Sequence, residues 1–385
     1  MIAYKFRLYP SKEQEEKLLK TLEICRWTYN YFLSIINESK KVPSRLKLQA
    51  ELPKLKKEKP ELEKVYSKVL QMVLHQLYSN LKALSKLKKN GKKVGRLRYK
   101  GKWFKTFVYN QSGFKIIKTG KRLDKLHLSK IGDIPIRIHR EIEGKVKQVI
   151  IKRYKSRKWF ALVCVETEST PVPKTNRVIG IDVGVRYFLT DNDGRQIENP
   201  RFYEKTLNRI RIEQRRLSRK IRGSKNWEKQ RKKLAKLYER LVNQRDDFLH
   251  KLSRFYVNNY DVIVVEDLSI RNMVRVGGGL AQSILDASWN KFMKMLSYKA
   301  EKAGRRVIKV NPRGTSKGLS YENPLRDWIS SIRILMRGWG SPDSLFERRP
   351  LLRAISFKEI VSGHVFSMKQ EAPCVSGSSP RGSII

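Results

Sequence analysis

Apolar and basic positions alternate over residues 2–8, a period-two pattern that suits an edge strand. Pro10 and Ser11 stop it, and Ser11 with Gln14 has the spacing of a capping box, so a helix should start there. Leu18, Leu19, Leu22, Cys25 and the aromatics from Trp27 to Phe32 mark one face of that helix. A second helical region is expected over 61–87, where Val65, Val69, Met72, Val73, Leu77, Leu81 and Leu84 recur at helical spacing. Short β-like runs follow at 106–109, 125–128, 134–138, 146–154 and 159–166, bounded by turn residues, which suggests a small barrel. Residues 1–170 therefore read as a β-barrel with a helical insertion over about 11–90.

Residues 167–176 are rich in Thr, Ser and Pro and read as a linker. Then V-I-G-I-D-V-G-V-R-Y-F-L-T, residues 178–190, drives an apolar run into one acid, Asp182, and returns as a second apolar run. From 204 to about 256 nearly every residue is a helix former, broken at Gly223 and Ser224 into two helices. Leucines and aromatics line one face of the second helix, and Arg and Lys crowd the other. Such a basic pair could follow a phosphate backbone. Residues 261–266 form a buried-type strand ending in Glu266. Residues 277–279 read as a glycine linker, 287–303 as a helix and 307–310 as a further strand. Asp327 precedes the amphipathic run W-I-S-S-I-R-I-L. From 337 to 385, Gly, Ser, Pro and Arg predict a flexible tail.

Composition sharpens this outline. The 385 residues suffice for two or three domains, and the hydrophobic share of 40% is that of a folding chain. The formal net charge is +49, from 85 Lys and Arg against 36 Asp and Glu. An excess of this size calls for a polyanion, and nucleic acid is the first choice ahead of a membrane surface. No long apolar segment or secretory signal is visible, so no membrane partner and a cytoplasmic location are expected. The three cysteines are far apart and form no C-x-x-C pair, which argues against a disulfide framework and a cysteine zinc site. Between 88 and 105, cations alternate with glycine and aromatics. Lys92, Lys93, Arg96, Arg98, Lys100 and Lys102 can meet phosphates, while Tyr99 and Trp103 can stack on bases.

Carboxylates are seldom buried without a partner, and a divalent cation would be one. Asp182 at the end of a first strand, Glu266 at the end of a later one and Asp327 at a helix start suit an RNase H-like nuclease site. Two divalent ions about 4 Å apart can stabilise both the attacking and the leaving oxygen of phosphodiester cleavage. Hard oxygen ligands favour Mg²⁺ or Mn²⁺. Asp182 would bridge the ions, with Glu266 and Asp327 each completing one. Asp267 is left out because it points to the opposite face of its strand.

These segments resemble the TnpB proteins of bacterial and archaeal insertion sequences. The matches run in order: A-Y-K-F-R-L-Y-P-S-K-E-Q at the start, G-I-D-V-G-V at Asp182, and N-Q-R-D-D-F-L-H-K-L-S from Asn243. V-V-E-D-L-S-I-R-N-M at Glu266, N-P-R-G-T-S-K from Asn311 and R-D-W-I-S-S-I-R-I-L at Asp327 complete them. The resemblance implies an α+β multidomain chain, a barrel with a helical recognition insertion followed by a RuvC-like nuclease domain over 177–336. It implies a guide RNA from the element's end, cleavage of double-stranded target DNA beside a short motif, and Asp182, Glu266 and Asp327 as the catalytic acids. A nucleoid-associated protein acting as a monomer is expected, with a dimer as the alternative.

One departure is large. The family carries a zinc ribbon with two C-x-x-C pairs between its T-S-K and R-D segments. Here only residues 318–325 stand between Lys317 and Arg326, with no cysteine, and Ile329 replaces the usual Asn. This reads as an internal deletion, so no zinc is expected. The alternative to an active nuclease is a catalytically impaired relative that still binds RNA and DNA. A self-sufficient transposase fits less well, because no DDE-type core or tyrosine nucleophile with paired histidines is visible. Eight residues span about 27 Å when extended, so the shortened loop has reach enough to bring Asp327 to Asp182.

Overall fold

The computed structural model describes residues 1–102, 104–168, 171–275, 277–340, 353–355 and 371–373. The chain divides into two compact units, one of Met1–Thr167 with a segment beginning at Glu371, the other of Glu168–Gln370.

The first unit opens with β1 (Ile2–Leu8) and then inserts four α-helices before its next strand. These are α1 (Lys12–Glu38), α2 (Arg45–Ala50), α3 (Leu52–Glu58) and α4 (Ser67–Lys89), with a 3₁₀ turn at Pro60–Lys64. The Ser11 capping box forms as the spacing predicts: Gln14 N donates to Ser11 Oγ at 3.2 Å, and Ser11 N donates to Gln14 Oε1 at 3.0 Å. Six strands follow: β2 (Thr106–Asn110), β3 (Phe114–Ile117), β4 (Asp124–Leu128), β5 (Gly132–Arg137), β6 (Lys145–Arg153) and β7 (Trp159–Glu166). Their path is β2-β6-β7-β1-β5-β4-β3, all antiparallel. The sheet is nearly closed rather than a complete barrel, since β2 and β3 are not paired among the described residues. Tyr109 Oη on β2 nevertheless reaches Ser129 O, beyond β4, at 2.8 Å.

The edge assignment for β1 is corrected. It pairs with β7 along its whole length and with β5 at its end. Its cations do not guard an open edge but cover rings: Lys5 Nζ lies 4.6 Å from the centre of Phe160, and the Arg7 guanidinium 5.2 Å from it. The alternate positions Tyr4, Phe6 and Leu8 are fully buried with α1 and α4.

The second unit is built on a mixed sheet. Its strands are β8 (Val178–Asp182), β9 (Tyr187–Asp191), β10 (Arg195–Glu198), β11 (Val262–Glu266) and β12 (Arg306–Val310), with a short β13 (Arg353–Ile355) on β10. The order is β12-β11-β8-β9-β10-β13. The β8–β9–β10 meander is antiparallel, and β11 and β12 run parallel to β8. Helices α5 (Phe202–Ser218) and α6 (Lys225–Asn259) form the expected basic pair, with Ser224 capping α6 through Trp227 N at 3.1 Å. Helices α7 (Ile270–Arg275), α8 (Gly278–Ala287) and α9 (Trp289–Lys302) come next, and α10 (Arg326–Trp339) last. The glycines expected as a linker at 277–279 instead start α8.

Period two along the strands sends alternate residues to two cores. Ile179, Ile181, Ile263 and Val265 pack with Phe248, Leu252, Phe292 and Leu296 of α6 and α9. Val178, Val262 and Val264 pack with Ile334 and Leu335 of α10. Asp182 and Glu266 share the parity of this second set, so the strand period aims them at the α10 side.

The tail expected to be flexible from 337 onward is ordered in part. The last turns of α10 continue to Trp339, residues 353–355 form β13, and Glu371–Pro373 pairs antiparallel with β1.

Candidate active site and nucleic-acid interface

The register Ile181↔Val265 between parallel β8 and β11 brings Asp182 and Glu266 to the same level one step further on. Asp327 enters from the first turn of α10. What allows the approach is Gly180, where a Cβ would sit 2.3 Å from Ser331 O and 2.7 Å from Leu335 Cβ. Only a residue without a side chain lets α10 lie so close to β8.

Asp182 feels both of the other acids. Burial first, then the charges of Glu266 and Asp327, push the Asp182 carboxyl well above the ordinary carboxylate range; Arg326 and a hydrogen bond from the Val183 backbone oppose this. Glu266 is buried, and burial raises it too, against a hydrogen bond from Thr315 and the charge of Arg337. Thr315 Oγ1 donates to Glu266 Oε1 at 2.6 Å. Asp327 Oδ1 lies 3.8 Å from the Arg326 guanidinium, whose face covers the Tyr321 ring at 4.0 Å. Like charges brought together in a partly dry site favour uptake of a proton or a cation. Among the described residues no three carboxylate, His or Cys groups stand close enough to hold one ion as they are. Asp267, excluded from the sequence-based set, is exposed and meets Lys309 Nζ at 3.2 Å.

The loop between β12 and α10 is tied back onto α10. Arg333 Nη1 donates to Thr315 O at 3.1 Å and Lys317 O at 2.8 Å. Arg337 Nη1 donates to Asn311 O at 2.8 Å and Arg313 O at 2.9 Å. Two arginines of α10 thus clamp the loop that carries Thr315 to Glu266. Thr315, Arg326, Arg333 and Arg337 were not singled out from sequence. The only signal was their place in the N-P-R-G-T-S-K run and on the polar face of an amphipathic helix.

The segment expected to contact nucleic acid is mostly exposed. Lys92, Lys93, Arg96, Arg98, Tyr99 and Lys102 reach solvent from an irregular stretch. Lys100 is different. Asn30 holds its backbone, with Lys100 N donating to Asn30 Oδ1 at 2.7 Å and Asn30 Nδ2 donating to Lys100 O at 3.0 Å. Its ammonium packs 4.9 Å above Tyr29, and burial lowers its pKa. Lys100 anchors the segment to α1. Trp103 lies outside the described residues.

A family profile described as "Probable transposase", the IS605-type OrfB family, matches residues 162–277. A helix-turn-helix profile of the same family matches residues 1–41, which here form one strand and one long helix. A Cas12f1-like TNB-domain profile matches residues 289–333. A "Putative RNA-guided DNA endonuclease" of Streptomyces pristinaespiralis is 33% identical over 319 residues, covering 80% of this chain and 77% of that protein. The "Putative RNA-guided DNA endonuclease InsQ" of Escherichia coli is 30% identical over 347 residues, covering 83% and 82%. Among solved structures, the cryo-EM structure of a Cas12f1–sgRNA–target DNA complex shares the fold at a TM-score of 0.54 and 16% identity, covering 87% of this chain and 84% of that one.

Proposed function

Because the chain belongs to the TnpB family of insertion-sequence proteins, we propose that it is an RNA-guided DNA endonuclease whose second unit is a RuvC-type, RNase H-like nuclease. The observation that carries this reading is the convergence of Glu266 and Asp327 on Asp182, one acid from each of three separate elements, with Asp182 and Glu266 level on paired parallel strands and Asp327 on the first turn of α10. In this reading the three acids bind Mg²⁺ or Mn²⁺, which would supply an activated water and stabilise charge on the leaving oxygen.

The chain's own residues set up that chemistry. Glu266 is held by the Thr315 hydroxyl, which fixes one carboxylate oxygen and leaves the other for a cation. Arg326 offsets part of the negative field before any cation arrives, and can turn to a phosphate oxygen afterwards. The first unit would hold guide RNA and target duplex through its exposed cations, with Tyr99 and Trp103 as stacking surfaces. Base pairing would read the target, and the protein a short flanking motif.

A second reading has its own support. The loop that lacks the ribbon and the absence of a ready three-ligand cluster among the described residues both suit a relative that binds RNA and DNA without cutting. One experiment separates the two. The protein is co-expressed with its flanking element DNA, purified with bound RNA and given a plasmid library with randomised flanks in Mg²⁺, beside Asp182→Ala. Guide-dependent cuts next to one motif, lost in the variant, establish the enzyme. Bound RNA without cuts in either sample establishes the binder.

A further inference from the structure

We propose that the cleft between α5 and α6 is a binding site for a phosphodiester backbone, in which Lys205, Arg209 and Arg240 grip phosphate. This deepens the nucleic-acid reading above and rests on it. Lys205 and Arg209 stand one turn apart on α5, where residues four apart share a face. Arg240 faces the same cleft from α6, with Gln244 one turn on. Leu237 and the buried Leu241 floor it, and its volume is about 230 Å³.

What marks this cleft is that cations from both helices line one concave site. Some cations of the pair are held by acids, as in Arg216–Glu213 at 2.9 Å, Arg231–Glu228 at 2.8 Å and Lys251–Asp247 at 2.9 Å. Lys205, Arg209 and Arg240 have no carboxylate within ion-pair distance among the described residues. No acid lines the cleft. Gathered cations without an anion repel one another, and an entering phosphate reverses the sign of that cost. Two of the three are arginines, whose planar forks match phosphate oxygens in pairs.

The cleft is also held in shape. Gln214 Nε2 donates to Tyr238 Oη at 3.1 Å, and Gln230 donates to Glu213, so both pairs brace α5 against α6. The cations are therefore placed before the ligand arrives, which lowers the ordering cost of binding. No aromatic ring lines the cleft, so bases have nothing to stack on. It suits backbone contact without sequence readout. RNA and DNA present the same phosphodiester chemistry, and the experiment distinguishes them.

The test uses the full-length chain with Arg209→Gln and Arg240→Gln together. Gln keeps helix propensity, and thermal melting checks folding. Binding to a short mixed-sequence DNA duplex and to an RNA duplex of the same length is followed against salt. Loss of two phosphate contacts should lower the slope of log K against log salt by about 2 on the duplex that uses the cleft. A drop on DNA alone, on RNA alone or on both names the source. Lys232→Gln with Lys233→Gln, two exposed cations elsewhere on α6, removes the same charge. An unchanged slope on both duplexes, or an equal drop in this control, overturns the proposal. Wild type that cuts under guide control while the cleft variant keeps its slope defeats the cleft and leaves the nuclease standing. Wild type that binds neither duplex defeats both.

Discussion

The indole Nε1 of Trp328 donates to the backbone carbonyl of Asn192 at 3.0 Å, and both residues are buried. The Asn192 side-chain Oδ1 in turn accepts from Gly180 N at 2.7 Å, and the Asn192 backbone N–H donates to Gly180 O at 3.2 Å. One turn residue therefore fixes β8 two places before Asp182 and α10 one place after Asp327. Trp328→Phe keeps the ring but leaves a buried carbonyl without its donor. It should cost about 1–3 kcal/mol in urea unfolding. Guide-dependent cleavage should fall further than RNA affinity, because the helix that carries Asp327 loses its tie. Equal losses in both would separate this contact from the site.

Gly180→Ala tests the close approach of α10. The new methyl would sit 2.3 Å from a backbone oxygen, which cannot swing aside as a side-chain tip can. Overpacking of this kind typically costs about 1–3 kcal/mol, and here the relief available is to move α10 off β8. Cleavage should fall with stability. Gly279→Ala, where a Cβ meets nothing within 4 Å, should leave both unchanged.

The sequence made part of this legible for definite reasons. Asp182 and Glu266 stood out because each ends an apolar run, where an acid has no packing role. The Ser11 cap and the strand runs of the first unit were readable from local spacing. What local spacing could not supply was partners. Alternation in β1 looked like an edge, yet periodicity does not say whether outward cations meet water or the rings of Phe160 and Tyr154. Asn192, Thr315, Arg333 and Arg337 act through contacts with residues 12 to 136 positions away, so the motif run and the polar helix face that hold some of them did not reveal their partners. Strands at 353–355 and 371–373 lie in a stretch whose composition argued for disorder, and their pairing comes from β10 and β1 rather than from their own residues.

Divalent cations should change stability through the acids. Asp182 and Glu266 both have raised pKa values. A raised carboxyl stabilises the fold through its protonated form, fully below the ordinary carboxylate value, and that contribution is lost as pH rises through the folded value. Protein held in chelator should therefore lose melting temperature over that rise. Asp182→Asn should flatten the loss. Adding Mn²⁺ to a hundredfold excess over its Kd should restore about 2.7 kcal/mol to wild type and nothing to the variant. A wild-type melting temperature indifferent to Mn²⁺ and Mg²⁺ at neutral pH would remove the metal from the mechanism.

Asp261 makes the opposite prediction for pH. It precedes β11 and ties the entry to β8: its carboxylate accepts from Thr175 N at 2.9 Å, Thr175 Oγ1 at 3.1 Å and Asn176 N at 2.8 Å, and it pairs with Arg305. Its own N–H donates to Arg177 O at 2.8 Å, and its carbonyl accepts from Arg306 N at 2.9 Å. Three strands, β8, β11 and β12, thus start in register at one residue. Burial works to raise the carboxyl, but the hydrogen bonds from Thr175 and Asn176 and the Arg305 charge outweigh it, and the net shift is downward. A lowered carboxyl stabilises the fold above its ordinary value and loses that contribution as pH falls through the folded value. Asp261→Asn should cost about 1–2 kcal/mol at neutral pH, the low end for charge-assisted bonds because the carboxylate still touches water. The gap between wild type and variant in urea midpoints should narrow as pH falls through the carboxylate range and close below it. A gap that stays constant would mean that Asp261 contributes through shape and not through charge, and that the alignment of Asp182 with Glu266 is set further along the strands.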